Sequence, residues 1–253
     1  MNILITGATA GFGLDIARRF AKDGHRLVLV GRRQDRLDAL VAELGDTAHS
    51  VTLDVRDRDA VIAAIAGLPA AFAETDVLVN NAGLALGVAP AQQANLDDWH
   101  TMVDTNVKGL MTITHAVLPG MVARDRGHVI NIGSVAGRWP YPGGNVYGAT
   151  KAFVRQFSLN LRADLSGTRV RVTDIEPGMV AGTEFSEVRF AGDTDRAASV
   201  YQGTEPLTAE DVTDAVHWVA TRPAHVNINF LELMPVCQSF GGFTINRNLK
   251  NMG

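Results

Sequence analysis

With 253 residues, a net charge of −4, a pI near 6.0 and 46% hydrophobic residues, the chain has the composition of an ordinary globular protein long enough to bury a sizeable core. That balance, with no long basic block, argues against a nucleic-acid partner. The single cysteine, Cys237, excludes an internal disulfide and points to a reducing compartment. The opening Met-Asn-Ile-Leu-Ile-Thr-Gly has no basic leader, and no later apolar run approaches about 18 residues, so the expectation is a cytoplasmic chain with no membrane partner. No metal site is expected.

Ile3 to Ile5 is a short apolar run ending in Thr6-Gly-Ala-Thr-Ala-Gly-Phe-Gly13, after which Leu14, Ile16, Ala17, Phe20 and Ala21 recur at helical spacing. Strand, glycine turn and helix in succession are the context of a dinucleotide-binding loop, where the backbone turns tightly against a pyrophosphate at the helix N-terminus. Gly7, Gly11 and Gly13 depart from the common G-x-G-x-x-G spacing, so alone the loop reads as a phosphate cradle or as a tight turn without a ligand. The next run, Leu27 to Val30, ends in Gly31-Arg32-Arg33. An acid near this point suits a ribose 2′-hydroxyl, an arginine a 2′-phosphate. Two arginines and no acid favour NADP(H), with Arg33 as a second contact or stacked on adenine; the alternative is a pair of solvated side chains. A helix with Leu37, Leu40, Val41 and Leu44 on one face follows, then strand His49 to Leu53. At its end Asp54-Val55 offers a carboxylate to an adenine amino group or to the next helix as a cap.

Val61 to Leu68 reads as helix and Val77 to Val79 as strand, running into Asn80-Asn-Ala-Gly83. Buried amides need partners, so Asn81 and Gly83 either pack beside a cofactor or form a plain turn. From Leu96 one long helical pattern extends to about Val122, with Pro119 near its end. Within it Asn106, near the helix-weakening Gly109, either holds open a backbone hydrogen bond and a water or faces solvent. Strand His128 to Ile132 leads to Gly133-Ser134. Ser134 lies at a strand's carboxyl end, where it donates to a substrate carbonyl or caps a turn.

The glycine- and proline-rich stretch Gly137 to Gly144 delivers a helix to about Leu165 that carries Tyr147 and Lys151 on one face. A free tyrosine, with a pKa of about 10, is a poor base at neutral pH, but a fixed cation beside it stabilises the phenolate. Such a pair either trades protons with an alcohol or carbonyl, or is an ordinary solvated pair. Strand Val170 to Ile175 ends at Glu176-Pro177-Gly178, and the charged segment over about 178–203, with Gly182, Gly192 and Gly203, suits a mobile lid. A helix of about Ala209 to Ala220, a strand Ile228 to Leu233 and a glycine-rich tail complete the chain. Strands alternating with helices, with no repeat and no linker, imply a single domain over 1–253: an α/β, doubly wound parallel sheet with helices on both faces.

Thr6-Gly7-x-x-x-Gly11-x-Gly13, Asn80-Asn-Ala-Gly83, Asn106, Ser134, Tyr147-x-x-x-Lys151 and Pro177-Gly178, in this order, resemble the short-chain dehydrogenase/reductases. The stretches TGATAGFG, GRRQDRL, NNAGLALG, NVYGATKAFVRQFSLNLR and DIEPG are similar to the NADP-dependent 3-hydroxy acid dehydrogenases, a subgroup with serine 3-dehydrogenases, L-allo-threonine dehydrogenases and malonic semialdehyde reductases. The resemblance runs from residue 3 to about Pro235 and implies a Rossmann-type fold.

It also implies roles. Tyr147 becomes the general acid in reduction and base in oxidation, Lys151 lowers its pKa and holds the nicotinamide ribose, Ser134 polarises the carbonyl, and Asn106 seats a water of a proton relay. NADP(H) falls to Gly7, Thr9, Ala10, Gly11, Phe12 and Gly13 of the loop, to Arg32, Arg33, Asp54 and Val55 at the adenosine end, and to Asn81, Ala82 and Gly83. Tyr147, Lys151, Pro177, Gly178, Val180 and Thr183 complete that set. A homotetramer is implied, with helices starting near Asp97 and Val146 at an interface. The carboxylate of a small 3-hydroxy acid needs a cation, and Arg138 and Arg189 are the nearby candidates, against plain solvated arginines. A 3-oxoacyl carrier-protein reductase or other carbonyl reductase of the same fold is the alternative, and a non-catalytic NADP-sensing protein the alternative of a different class.

Overall fold

The structure, a computed structural model, describes residues 1–241; the end of the glycine-rich tail, 242–253, lies outside the described residues. Seven strands form one parallel sheet: β1 Asn2–Thr6, β2 Arg26–Gly31, β3 Ala48–Thr52, β4 Val77–Asn80, β5 Gly127–Ile132, β6 Val170–Pro177 and β7 Phe230–Leu233. Their order is β3-β2-β1-β4-β5-β6-β7. Between them lie helices α1 Gly11–Lys22, α2 Gln34–Leu44, α3 Arg58–Ala66, α4 Leu96–Val103, α5 Leu110–Ala123, α6 Asn145–Asp164, α7 Phe185–Arg189, α8 Thr194–Ser199 and α9 Ala209–Ala220.

Successive strand side chains point to opposite faces, and one strand therefore feeds two cores. On β1, Ile3 and Ile5 join Ile16, Phe20 and Val216 beneath α1 and α9, while Leu4 joins Val61, Ile113 and Leu161 beneath α3, α5 and α6. The near-continuous apolar runs of β1 and β2 follow from burial on both faces. Chain order reverses between β1 and β4, so the carboxyl ends of these strands open a crevice at the topological switch point, where ligands gather in such sheets.

The expected elements form, with ends shifted by a few residues. The long helix from Leu96 is the exception, because a π turn, Asp104–Gly109, separates α4 from α5. Two contacts favour the wider turn. Asn106 turns its amide inward to the Leu84 backbone, and Gly109 lies so close to Val55 that a Cβ would sit 2.8 Å from Val55 Cγ2. The last strand is shorter than expected, beginning at Phe230.

Candidate active site

The glycine loop is built to leave room. Gly7 and Gly11 have φ of 69° and 49°, which other residues rarely adopt, and a Cβ on Gly13 would overlap the Gly7 carbonyl oxygen. Asn81 braces the turn from behind: its Nδ2 donates to the carbonyls of Thr6 (2.9 Å) and Gly7 (3.2 Å). Thr6 Oγ1 in turn accepts from the amides of Asn81 (3.0 Å) and Ala82 (2.9 Å). The first turn of α1 carries no acid and no side-chain cap, so its free N–H groups face the crevice. An uncapped helix start behind a loop stripped of side chains fits a pyrophosphate. Gly13→Ala should lower Tm and weaken NADPH binding together, measured by thermal melting and by the fluorescence of the bound cofactor, because backbone rather than a flexible side chain must move.

The groove so formed encloses about 310 Å³. Gly7, Thr9, Ala10, Gly11, Phe12, Arg32, Arg33, Asp54, Val55, Asn81, Ala82, Gly83, Tyr147, Lys151 and Thr183 all line it. Gly13 lies beneath the loop, and Pro177, Gly178 and Val180 line the adjoining cavity instead. The two arginines differ. Arg33 is engaged: its guanidinium donates to Thr9 Oγ1 (3.1 Å) and to Glu184 (2.8 Å), and Arg36 binds the other oxygen of Glu184 at 2.6 Å. Among the described residues Arg32 has no ion-pair or hydrogen-bond partner, which leaves it available to an incoming phosphate. Asp54 neither caps α3, a role taken by Asp57, nor stands free. Arg56 chelates its carboxylate at 2.6–3.0 Å, and these hydrogen bonds hold its pKa below the usual carboxylate range.

Ser134, Tyr147 and Lys151 converge where groove and cavity meet. Ser134 Oγ accepts from Ala136 N–H (3.1 Å) and donates to the Pro177 carbonyl (3.4 Å). Burial pushes the Tyr147 phenol up to about 12, against the smaller opposing pulls of the Ser134 hydroxyl and the Arg189 charge. Lys151 Nζ donates to the Ile132 carbonyl at 2.7 Å and stands 5.9 Å from the Tyr147 ring centre, a separation that the Arg189 guanidinium shares. Burial brings the Lys151 ammonium itself down to about 8. Asn106 is committed at both ends of its amide: Oδ1 accepts from Leu84 N–H (2.9 Å), and Nδ2 donates to Leu84 O (2.8 Å) and Thr150 Oγ1 (3.0 Å). It braces the wall at Gly83, against whose open face Lys151 Nζ also rests.

Beyond these residues a cavity of about 610 Å³ extends beneath α7. Trp139, Tyr141, Phe185, Tyr201 and Phe240 give it aromatic walls. Among the described residues lining it, Arg189 is the one charged side chain. Its guanidinium lies 5.9 Å from the Tyr147 ring centre and donates to Tyr141 Oη at 2.9 Å. Arg138 does not reach the cavity. The short turn Val135–Gly137 carries it outward, where it stacks on Trp139 and faces Glu232 at 3.8 Å. Two further acids escaped sequence reasoning. Glu184 pairs with Arg33 and Arg36 and sits in no recognisable motif, while Asp174, the first residue of the DIEPG stretch, is buried beneath Gly133.

Comparison with known proteins agrees with this geometry. A family model described as short chain dehydrogenase matches residues 1–193. The sequence is 64% identical to an NADP-dependent 3-hydroxy acid dehydrogenase of Salmonella typhi, over 98% of this chain and 100% of that one. It is 57% identical to a serine 3-dehydrogenase of Rhizobium radiobacter, over 97% of this chain and 98% of the relative. A solved closed form of a serine dehydrogenase complexed with NADP+ superposes with a TM-score of 0.97 at 63% identity, covering 98% of this chain and 100% of that one. By motif, sheet order and full-length similarity, this chain belongs to the short chain dehydrogenase family.

Proposed function

We propose that the protein is an NADP-dependent dehydrogenase of small 3-hydroxy acids, interconverting them with their 3-oxo acids or semialdehydes. The substrate class comprises L-serine, L-allo-threonine, 3-hydroxyisobutyrate and 3-hydroxypropionate, the last linking the enzyme to malonic semialdehyde reduction. The observation that carries this reading is Arg189: among the described residues lining the aromatic-walled cavity it is the one charged side chain, and it stands beside the phenol of Tyr147. A guanidinium favours a carboxylate by paired charge-assisted hydrogen bonds. The names of the full-length relatives support the same class.

NADP(H) supplies or accepts the hydride, which passes directly to or from the carbon bearing the hydroxyl. Tyr147 gives its proton to the carbonyl oxygen in reduction and takes it back in oxidation. Ser134 donates a hydrogen bond to that same oxygen and holds it against the phenol. Lys151 holds the nicotinamide ribose hydroxyls, and the π turn at Asn106 seats a water that passes protons between Lys151 and solvent. Arg32, with no partner among the described residues, takes the 2′-phosphate, while Arg33 ties the glycine loop to the lid through Thr9 and Glu184. Arg32→Ala should raise the KM for NADPH by about tenfold or more, the scale of one charge-assisted hydrogen bond, and leave that for NADH nearly unchanged. Equal changes would mean that the 2′-phosphate is read elsewhere.

A 3-oxoacyl carrier-protein reductase needs a basic surface for an acidic carrier, which the net charge of −4 does not favour. The chain works in the cytoplasm, where its exposed Cys237 stays reduced. It assembles as a homotetramer through surfaces at the starts of α4 and α6, a reading supported by the exposed Leu96 at one of them. Among the described residues no helix is long and apolar enough to cross a membrane. The reading is tested by NADP+ reduction with each of the four acids. Turnover of at least one, with a strong preference over NAD+, is expected, and no turnover of any would contradict it.

A further inference from the structure

Asp174, on β6, is buried to 1% exposure, and neither of its carboxylate oxygens has a hydrogen-bond partner among the described residues. A polar group in that condition calls for a reason. Its position supplies one. A Cβ on Gly133 would overlap Asp174 Oδ1, so the carboxyl presses on the α-carbon of the residue that floors both groove and cavity. The carbonyl of the same peptide, Ile132–Gly133, accepts from Lys151 Nζ at 2.7 Å. Carboxyl and ammonium therefore rest on neighbouring atoms of one peptide.

The surrounding charges leave these two for each other. Glu176, two residues along β6 and on the same face, takes Arg155 of α6 at 2.5 and 2.7 Å. Glu232 of β7, in register with Glu176, accepts from Trp139 Nε1 (3.0 Å) and faces Arg138. On β5, Asn131 stands in register with Asp174 but spends its amide on Ser158 and Asn80. Lys151 is the remaining cation, itself buried to 7% exposure with a carbonyl as its hydrogen-bond partner.

We propose that Asp174 is a positioning residue for Lys151: a carboxyl beneath the Gly133 floor that, once ionised, helps the buried lysine keep its charge. Burial works against both charges, and each opposes that effect on the other. Desolvation lowers the ammonium, and the Asp174 charge raises it. Desolvation and then Glu176 push the Asp174 carboxyl up to about 8, against the smaller opposing pulls of Lys151 and Arg155, so its charge forms in the pH range where Lys151 itself titrates. Without the acid, the Ile132 carbonyl is the ammonium's remaining stabilising contact among the described residues, and Lys151 loses its proton at lower pH.

The inference about Lys151's charge stands on the geometry; its consequence for turnover rests on the role given to Lys151 above. Asp174→Asn keeps the shape and removes the charge. In the cofactor-free protein, NMR of the labelled Lys151 ε-carbon should show its titration midpoint lowered by about one unit or more. An unchanged midpoint would overturn the proposal. The alkaline limb of kcat/KM for NADPH-dependent reduction should move down by the same amount. A moved midpoint with an unmoved limb supports Asp174 as the counter-charge and counts against Lys151 in catalysis, so the two readings fail separately. Should Asp174→Asn not fold, Lys151→Met gives the converse test by carboxyl NMR. Asp174 should then hold its proton to higher pH than in the wild type, and an unaltered titration would overturn the proposal.

Discussion

Tyr147→Phe is expected to lower kcat by about 10²- to 10⁴-fold, the usual worth of a positioned acid or base, while NADPH binds nearly as before. The ring stays where it is, packed with Ala85 and Met102 and against Phe185, so only the phenol oxygen is lost. Ser134 keeps its bonds to Ala136 and Pro177 and leaves no stranded donor behind. With the phenol pushed up to about 12 by burial, Tyr147 is protonated at neutral pH, the state that the proposed acid role in reduction requires. In oxidation the same group must give up its proton first, so the oxidative rate should climb with pH across the neutral range. A Phe variant with near wild-type kcat would remove Tyr147 from proton transfer.

Arg189→Met should lower kcat/KM for a 3-hydroxy acid by about 10- to 150-fold, the worth of a lost hydrogen bond to a charged group, and leave an alcohol without a carboxylate nearly unaffected. Methionine preserves the apolar stem against the aromatic wall and removes the guanidinium. The alcohol control matters because Arg189 also touches Tyr141 and the Gly87 carbonyl, and so ties α7 to two neighbouring loops. Equal losses on both substrates would make Arg189 a strut of the lid and not a clamp for the carboxylate.

What could be read from the sequence was local in spacing. The glycine loop announces itself because strand, turn and helix are contiguous, and Tyr147 and Lys151 because a helix repeats every 3.6 residues and sets positions four apart on one face. The parallel sheet follows from unbroken apolar runs between helical patterns. What escaped depends on folding across long separations. Arg33 meets Glu184 across 151 positions, and Asp174 gains its neighbours from the strand register that sets it beside Asn131 and beneath Gly133. Closeness in sequence also misled. Arg138 lies four residues after Ser134 but turns away with the Val135–Gly137 turn, whereas Arg189 reaches the cavity from the lid. Lys151 behaves similarly: helical spacing puts it on the face of Tyr147, but its ammonium reaches past the ring to the end of β5.

The central claim, that the site selects a carboxylate beside the reacting alcohol, meets its most direct test in one matched pair. Initial rates of NADP+ reduction with 3-hydroxypropionate and with propan-1-ol compare substrates of like chain length that differ in the carboxylate. A kcat/KM at least about tenfold higher for the acid is the predicted result, the scale of one hydrogen bond to a charged group. Equal values for the two would contradict it.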